Sequence, residues 1–403
     1  TPQTTFTNTS FALPLVVAVV PNAAGEPVDG GQLLYSAPGA GASAIFSNPA
    51  IISAGEATMV ATANSIAGSY AVTASAIGAT GTPSFALTNG CPPTVVTNGG
   101  DSGAGTLRQT IADACPGSVV TFAGGVASVA LTSGELVIGK NLTLDGGAGV
   151  AVTRQAGSPD FRVFRVTGGA NVLLDSLTIS GGNVADDGGG IQNFGNLTVL
   201  DSLISGNAST AGNGGGGIAN YGTLTVDNTT IELNTASFAG GAIVLIDGGS
   251  ATLSDCTLSG NSALQGGAVL LQSVTTDADM TISNCTISGN TASLTAAAVI
   301  NVSSGAGTSS TLSMVSSTVA GNSGPSATVS TGVNAGSATT TLRNNIYAAN
   351  SADNVVNTAP GVTTSLGNNL SDDATGGGGP GDLVNTDPLL AALGNYGGVT
   401  RTH

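Results

Sequence analysis

Few residues in this 403-residue chain could do chemistry, and they are scattered. Asp186-Asp187 is the best acidic pair. A glycoside hydrolase needs two carboxylates about 5–10 Å apart, and a calcium site needs several oxygen ligands. Adjacent residues on a strand point to opposite faces, however, so a solvated bend with Asx turn chemistry is the competing reading. Asp372, Asp373 and Asp382 flank a Gly-rich loop and could hold Ca²⁺ through carboxylate and carbonyl oxygens, although no fixed spacing supports this. Arg154, Arg162 and Arg165 form the only cationic cluster, suited either to an acidic sugar or to pairing with nearby acids. His403 is the sole histidine and sits in a frayed terminus on this reading, which excludes His-centred nucleophilic or metal chemistry. Between residues 171 and 340 there is no Lys, Arg or His, so a polysaccharide lyase would lack its base there. The sequence therefore predicts no catalytic residue, no cofactor and no metal site.

The elements that would have to position such residues are defined by a repeat. An apolar-Thr-apolar triplet, an Asx, a small residue, a second apolar position and a closing Asn recur over 171–350. The closing asparagines are Asn207, Asn234, Asn261, Asn290, Asn322 and Asn350, spaced 27, 27, 29, 32 and 28 residues apart. A period in this range signals a solenoid. A second phrase keeps the same beat: Gly-Gly-Gly-Ile191, Gly-Gly-Gly-Ile218, Gly-Gly-Ala-Ile243, Gly-Gly-Ala-Val269, Ala-Ala-Ala-Val299 and Thr-Gly-Val333. Each period holds about three short β runs. Alternation at period two stacks Val199, Val226, Leu253, Ile282 and Met314 in one interior file. It places Ile204, Ile231, Leu258, Ile287 and Val319 in another. Asp201, Asn228, Asp255 and Asn284 fall at bends, where a short Asx side chain tolerates the left-handed conformation. Thr198, Thr225, Thr252 and Thr281 face outward as ordinary strand filling or as a ligand-reading row. The expected fold is all-β, with a right-handed parallel β-helix over 119–351 and a carboxyl-terminal stretch over 352–403 whose cap is in doubt.

Composition agrees. Only 7% of residues are charged and 3% aromatic, Gly reaches 62, and the net charge is −16 with Lys140 the only lysine. Such a surface repels nucleic acid and anionic membranes. The most apolar run, 11–20, contains Pro14 and is too short to span a bilayer. The opening at Thr1 shows no signal peptide, and the expectation is a mature or trimmed secreted product. Cys91 and Cys115 bracket one local unit and are the disulfide candidates. Cys256 and Cys285 share a phase on adjacent coils, where the strand spacing slightly exceeds the usual bridging distance, so stacked buried thiols are expected.

Residues 1–89 read differently. Apolar runs at 15–20, 32–35, 43–46, 57–63, 70–74 and 84–87 alternate with Gly, Pro and Asn turns, a β-sandwich pattern. Asn22-Ala-Ala-Gly25-Glu26-Pro27-Val28, Ala37-Pro38 and Ala67-Gly68-Ser69-Tyr70-Ala71-Val72-Thr73-Ala74 resemble the bacterial immunoglobulin-like domains of invasin and intimin type. That resemblance implies a spacer or adhesive module. In the 90–118 linker, Thr106 caps a short helix with Gln109 completing a capping box, and Leu107, Ile111 and Ala114 form its apolar face. Laid over the open first coil, that helix would protect its unpaired edge. The segment 101–109 with Cys115 resembles the opening motif of large bacterial surface β-helix proteins. The Gly-Gly-Ala-Ile and Ser-Gly-Asn phrases at 240–243 and 259–261 resemble polymorphic outer-membrane protein repeats, and 387–403 their closing segment. These resemblances imply a secreted or surface-displayed structural or adhesive protein; self-association is expected from the strand edges of both domains and a last coil without an evident cap, with the reading of surface glycans as the alternative.

Overall fold

The computed structural model describes residues 2–398 and 400–403. The chain divides into two compact units, residues 1–94 with 112–115, and residues 95–111 with 116–403. In the first unit the strands Gln3–Phe6, Ser84–Gly90, Gly68–Ser75, Gln32–Ser36 and Ala50–Ile51 form one sheet in that order. Leu15–Ala18 pairs with Glu56–Met59, and Ala44–Ile45 with Thr62–Ala63. Their inward positions, among them Leu15, Leu33, Ala57, Val72 and Leu87, make the core. The Tyr35 hydroxyl lies 3.0 Å from the Leu15 and Ala57 carbonyls, and burial pushes its pKa up. The period-two reading located most of these strands. It missed Gln3–Phe6, which pairs parallel with Leu87 to Gly90 across most of the unit's length in sequence.

The second unit is a right-handed parallel β-helix of about ten turns. Three long strand files run along it, with a shorter fourth ladder from Asn183–Val184 through Ala208–Ser209, Thr235–Ala236 and Ser262–Ala263 to Thr291–Ala292. The first includes Asn196–Leu200, Thr223–Asp227, Ser250–Ser254, Ala278–Ser283, Ser309–Val315 and Ser337–Arg343. The second includes Leu203–Ser205, Thr230–Glu232, Thr257–Ser259, Thr286–Ser288, Thr318–Ala320 and Ile346–Ala348. The third includes Ile191–Asn193, Ile218–Asn220, Ile243–Ile246, Val269–Ser273, Val299–Ser303 and Val329–Val333. Val199, Val226, Leu253, Ile282 and Met314 stack in register as the repeat demands, and so do Ile204, Ile231, Leu258, Ile287 and Val319. All ten side chains are fully buried. Between the first and second files the chain turns through Asp201, Asn228, Asp255 and Asn284 at φ of 47–55°, and Ser316 and Asn344 continue the row.

Three features differ from expectation. The ladder extends beyond 119–351: Val95–Val96 joins Ser118–Phe122 at one end, and Val355–Thr358, Val362–Gly367 and Leu370–Ser371 continue the three files at the other. Those coils lack the repeated phrase, and at the carboxyl-terminal end the strands Val355–Thr358 and Val362–Gly367 are only partly buried. In the sixth Gly-Gly copy the stacked position is Val329, not Val333, because Val333 pairs with Ser303. The third file is also buried on both faces; all four residues of Ile243–Ile246 are buried. Loops fold back over its outer side, where Val244, Ile246, Leu270 and Ile300 meet Ala239, Ala296 and Ala327. This explains the Gly-Gly phrase. The first glycine of each pair has positive φ, as at Gly215 and Gly240. A Cβ on the second would collide with the next coil, 2.3 Å from the Gly267 carbonyl oxygen in the case of Gly241. No helix among the described residues is long and apolar enough to cross a membrane.

Candidate functional site

The closing asparagines do more than end turns. Asn234, Asn261 and Asn290 are fully buried, and their side chains form a continuous amide ladder. The Asn234 N–H and Nδ2 both donate to Asn261 Oδ1, at 3.0 and 3.1 Å, while Asn234 Nδ2 also donates to the Ile204 carbonyl at 2.9 Å. The same unit joins Asn207 to Asn234, Asn261 to Asn290, Asn290 to Asn322, and Asn322 to Asn350. A second polar file follows the Asx bends. Ser202 N–H donates to Thr229 Oγ1, Cys256 N–H to Cys285 Sγ, Cys285 N–H to Ser317 Oγ, Ser317 N–H to Asn345 Oδ1 and Asn345 N–H to Asn369 Oδ1. Cys256 and Cys285 are therefore free buried thiols. The interaction with Cys285, together with burial, pushes the Cys256 thiol far up, so it is no nucleophile. Cys91 and Cys115 are bridged, with a Cα separation of 5.7 Å. The helix Leu107–Asp113 that precedes Cys115 is capped by Thr106 Oγ1, which accepts from the Gln109 N–H at 3.3 Å, and Leu107 and Ile111 are buried.

The carboxylates singled out by sequence are engaged in the same kind of work. Asp372, Asp373 and Asp382 close the ladders at the last coils. Asp382 accepts from the Asn369 N–H at 2.7 Å, the Gly379 N–H at 2.6 Å and the Ser365 hydroxyl at 2.5 Å. Asp373 accepts from the N–H groups of Asn354 and Thr375, both at 2.7 Å, and Asp372 from the Ala349 N–H at 2.6 Å. Burial alone would raise Asp373 and Asp382, but these donors outweigh it and hold both below the usual range. The cap that the sequence left in doubt is thus a set of carboxylate acceptors. Among the described residues no three of His, Cys, Asp and Glu are grouped to hold a metal ion.

Asp186 and Asp187 point apart. Asp186 pairs with Arg162 at 2.5 Å, whereas the buried Asp187 accepts from the N–H groups of Asn213 and Gly214 and from the Tyr221 hydroxyl, pinning the outer loop of the next coil. Burial, with Asp187 beside it, drives the Tyr221 phenol well up. Of the arginine trio, Arg162 is buried rather than solvated and bridges Glu135 at 2.9 Å and Asp186. Arg154 pairs with Asp160, and Arg165 lies over the Phe194 ring, which stacks on Tyr221 at 5.0 Å between centroids. Neither face of Phe194 is left for a sugar. Asp101 shows the same pattern: burial would raise it, but Ser133, Arg108 and Thr132 pull it far down. A proton donor needs the opposite shift.

An open feature lies on the outward side of the second file. A groove of about 430 Å³ is bounded by 147–149 and by Thr400 and Arg401, and its floor includes Thr178, Asp201, Asn228, Thr230 and Glu232. Asp201 already accepts from Asn228, and Glu232 is paired with Arg401. Beyond it, 400–403 lies across the coils. Thr257 Oγ1 donates to the Arg401 carbonyl, Arg401 Nη2 to Ser259 Oγ at 2.9 Å, Thr286 Oγ1 to Thr402 Oγ1 at 3.1 Å, and Ser288 Oγ meets His403 Nε2 at 2.7 Å. His403 is therefore seated, not frayed. Arg401 and Glu232 are 169 residues apart in sequence, and no motif could have linked them.

Stacked parallel coils with buried Asn and apolar files define a parallel β-helix protein. In agreement, the family described as a right handed beta helix region matches residues 120–276. No curated protein and no solved structure matches the chain.

Proposed function

We propose that the chain is a non-catalytic extracellular protein of the bacterial cell surface, a rigid structural or adhesive rod that associates with copies of itself. In this reading residues 1–89 are an immunoglobulin-like spacer, and the helix Leu107–Asp113 covers the first coil of the β-helix. The observation that carries it is the engagement of the ionisable groups. Asp101, Asp187, Asp372, Asp373 and Asp382 accept from backbone N–H groups, and Arg162 is held between Glu135 and Asp186. Groups so engaged hold coils and loops in place, and their donors hold Asp101, Asp373 and Asp382 below the usual carboxylate range, the opposite of what a proton donor needs.

The resemblance of 240–243 and 259–261 to outer-membrane protein repeats supports a surface location, and the net charge of −16 argues against nucleic acid as a partner. The scarcity of Lys and Arg and the continuous ladder suit a protease-resistant rod. Light scattering against concentration, with electron microscopy of the same samples, tests the reading. Growth into elongated assemblies is expected, whereas a monomer at every concentration contradicts it. The groove beside Glu232 favours a second reading, an adhesin for hydroxyl-rich glycans, since carboxylates, an amide and a guanidinium line it together. A glycan array tests that. Release of reducing ends or unsaturated sugars from polysaccharides would instead reveal a hydrolase or lyase.

A further inference from the structure

Thr257, Ser259, Thr286 and Ser288 occupy outward positions of the second file, alternating with the interior Leu258 and Ile287. Strand alternation leaves such hydroxyls in water, as it does the outward Thr252 and Thr281 of the first file. Here all four are at most 5% exposed, because 400–403 covers them. The seat is built for an extended chain. Hydroxyls donate to a main-chain carbonyl and to side chains, and Glu232, within a stretch that has no Lys, Arg or His of its own, takes the guanidinium of Arg401. The path that leads there is weakly held. Residues 379–386 are bonded to the last coils through Asp382, Leu383, Asn385 and Thr386, but 387–398, which follow, are largely exposed, and Gly394 bridges Thr402 within the segment itself. Beside residue 400 the same track continues as the open groove of about 430 Å³.

We propose that this track is an exchange site, in which residues 400–403 of one copy dock in the seat of a second copy. The proposal rests on the self-association read above and supplies its contact. Seat and segment are different surfaces, so exchange joins copies head to tail, and such a contact propagates unless the geometry closes a ring. The step needs no new chemistry, because the Arg401–Glu232 pair and the hydroxyl contacts are the same in either arrangement; a loosely held connection is what permits segment swapping.

Crosslinking of the full chain tests it. Thr286→Cys and Thr402→Cys replace hydroxyls 3.1 Å apart. Oxidation of a mixture of the two single variants is expected to give a covalent heterodimer. Its yield falls about fivefold when Glu232→Gln and Arg401→Ala are added, the effect of losing about 1 kcal/mol at a partly exposed pair. The double-cysteine variant serves as the control for the seat. Internal closure of that variant with no heterodimer from the mixture overturns exchange, and failure of both reactions overturns the seat itself. Concentration-dependent scattering without the heterodimer leaves self-association standing on other contacts. Loss of both removes the self-association reading as well.

Discussion

Replacing Asn261 by Ala interrupts the amide ladder in the middle of the β-helix without touching the apolar files. Asn261 Oδ1 accepts from the Asn234 N–H and Nδ2, and its own Nδ2 donates to the Ile231 carbonyl at 2.9 Å and to Asn290 Oδ1 at 3.0 Å. The alanine variant strands two buried donors of Asn234, each costing about 1–3 kcal/mol, so the loss is about 2–6 kcal/mol. Asn261→Asp separates donors from acceptors. The carboxylate still receives from Asn234 but gives nothing to Ile231 or Asn290, and it carries a buried charge, so it is more damaging than alanine at neutral pH. Protonation returns one donor, and acid is therefore expected to narrow the gap between the two variants. The control is Asn196→Ala, whose amide donates to Asn171 on the exposed edge of the first file, with an expected change within about 0.5 kcal/mol. Urea denaturation followed by circular dichroism measures all three. If Asn261→Ala unfolds within 0.5 kcal/mol of Asn196→Ala, the flexing of neighbouring coils or water must satisfy those donors, and the ladder argument fails.

Other consequences follow from the same contacts. Asp373 and Asp382 have folded pKa values depressed below the ordinary carboxylate value, so their contribution is complete above about pH 4 and is lost as pH falls through the folded values. Hydrogen exchange should show the coils at 355–371 opening before those at 196–290 on acidification; simultaneous opening contradicts the cap. Cys256→Ser should cost less than about 1.5 kcal/mol, because Ser202 and Ser317 hold the same position on other coils, and neither Cys256 nor Cys285 should react with a thiol reagent until the chain unfolds. Rapid alkylation of the folded chain would refute their burial. Gly241→Ala places a methyl 2.3 Å from the Gly267 carbonyl oxygen and should lower the unfolding midpoint markedly, with a loss of about 1–3 kcal/mol, whereas Gly25→Ala meets no atom within 4 Å and pays only for its positive φ.

How much of this was legible in the sequence depended on the range of the interaction. Val199, Ile204 and their equivalents were readable because a one-period contact repeats itself in the text, and a period-two strand has only one way to bury them. Asp201, Asn228, Asp255 and Asn284 were readable because positive φ restricts residue type locally. The two-sided burial of Ile243–Ile246 was hidden, since a short apolar run does not say what covers its second face. The same ambiguity displaced the stacked position from Val329 to Val333: both are valines, and only the backbone ladder separates them. The closing asparagines looked like turn formers, because nothing local reveals that Asn261 Oδ1 is filled by donors 27 residues earlier. Arg162 and Arg401 were the least legible. Their partners Asp186 and Glu232 lie 24 and 169 residues away, outside any spacing rule.

The claim on which the account turns is that polar side chains inside this chain hold its coils together. Hydrogen exchange of the asparagine side-chain amides, read by NMR on protein labelled with ¹⁵N at asparagine only, tests it most directly. The account predicts that the Nδ2 groups of Asn207, Asn234, Asn261, Asn290 and Asn322 exchange as slowly as the backbone amides of Ile231 and Leu258, while that of Asn196 exchanges at the rate of a solvated amide. Fast exchange at all six would mean that water reaches the ladder, and the dry, internally bonded β-helix interior would have to be abandoned.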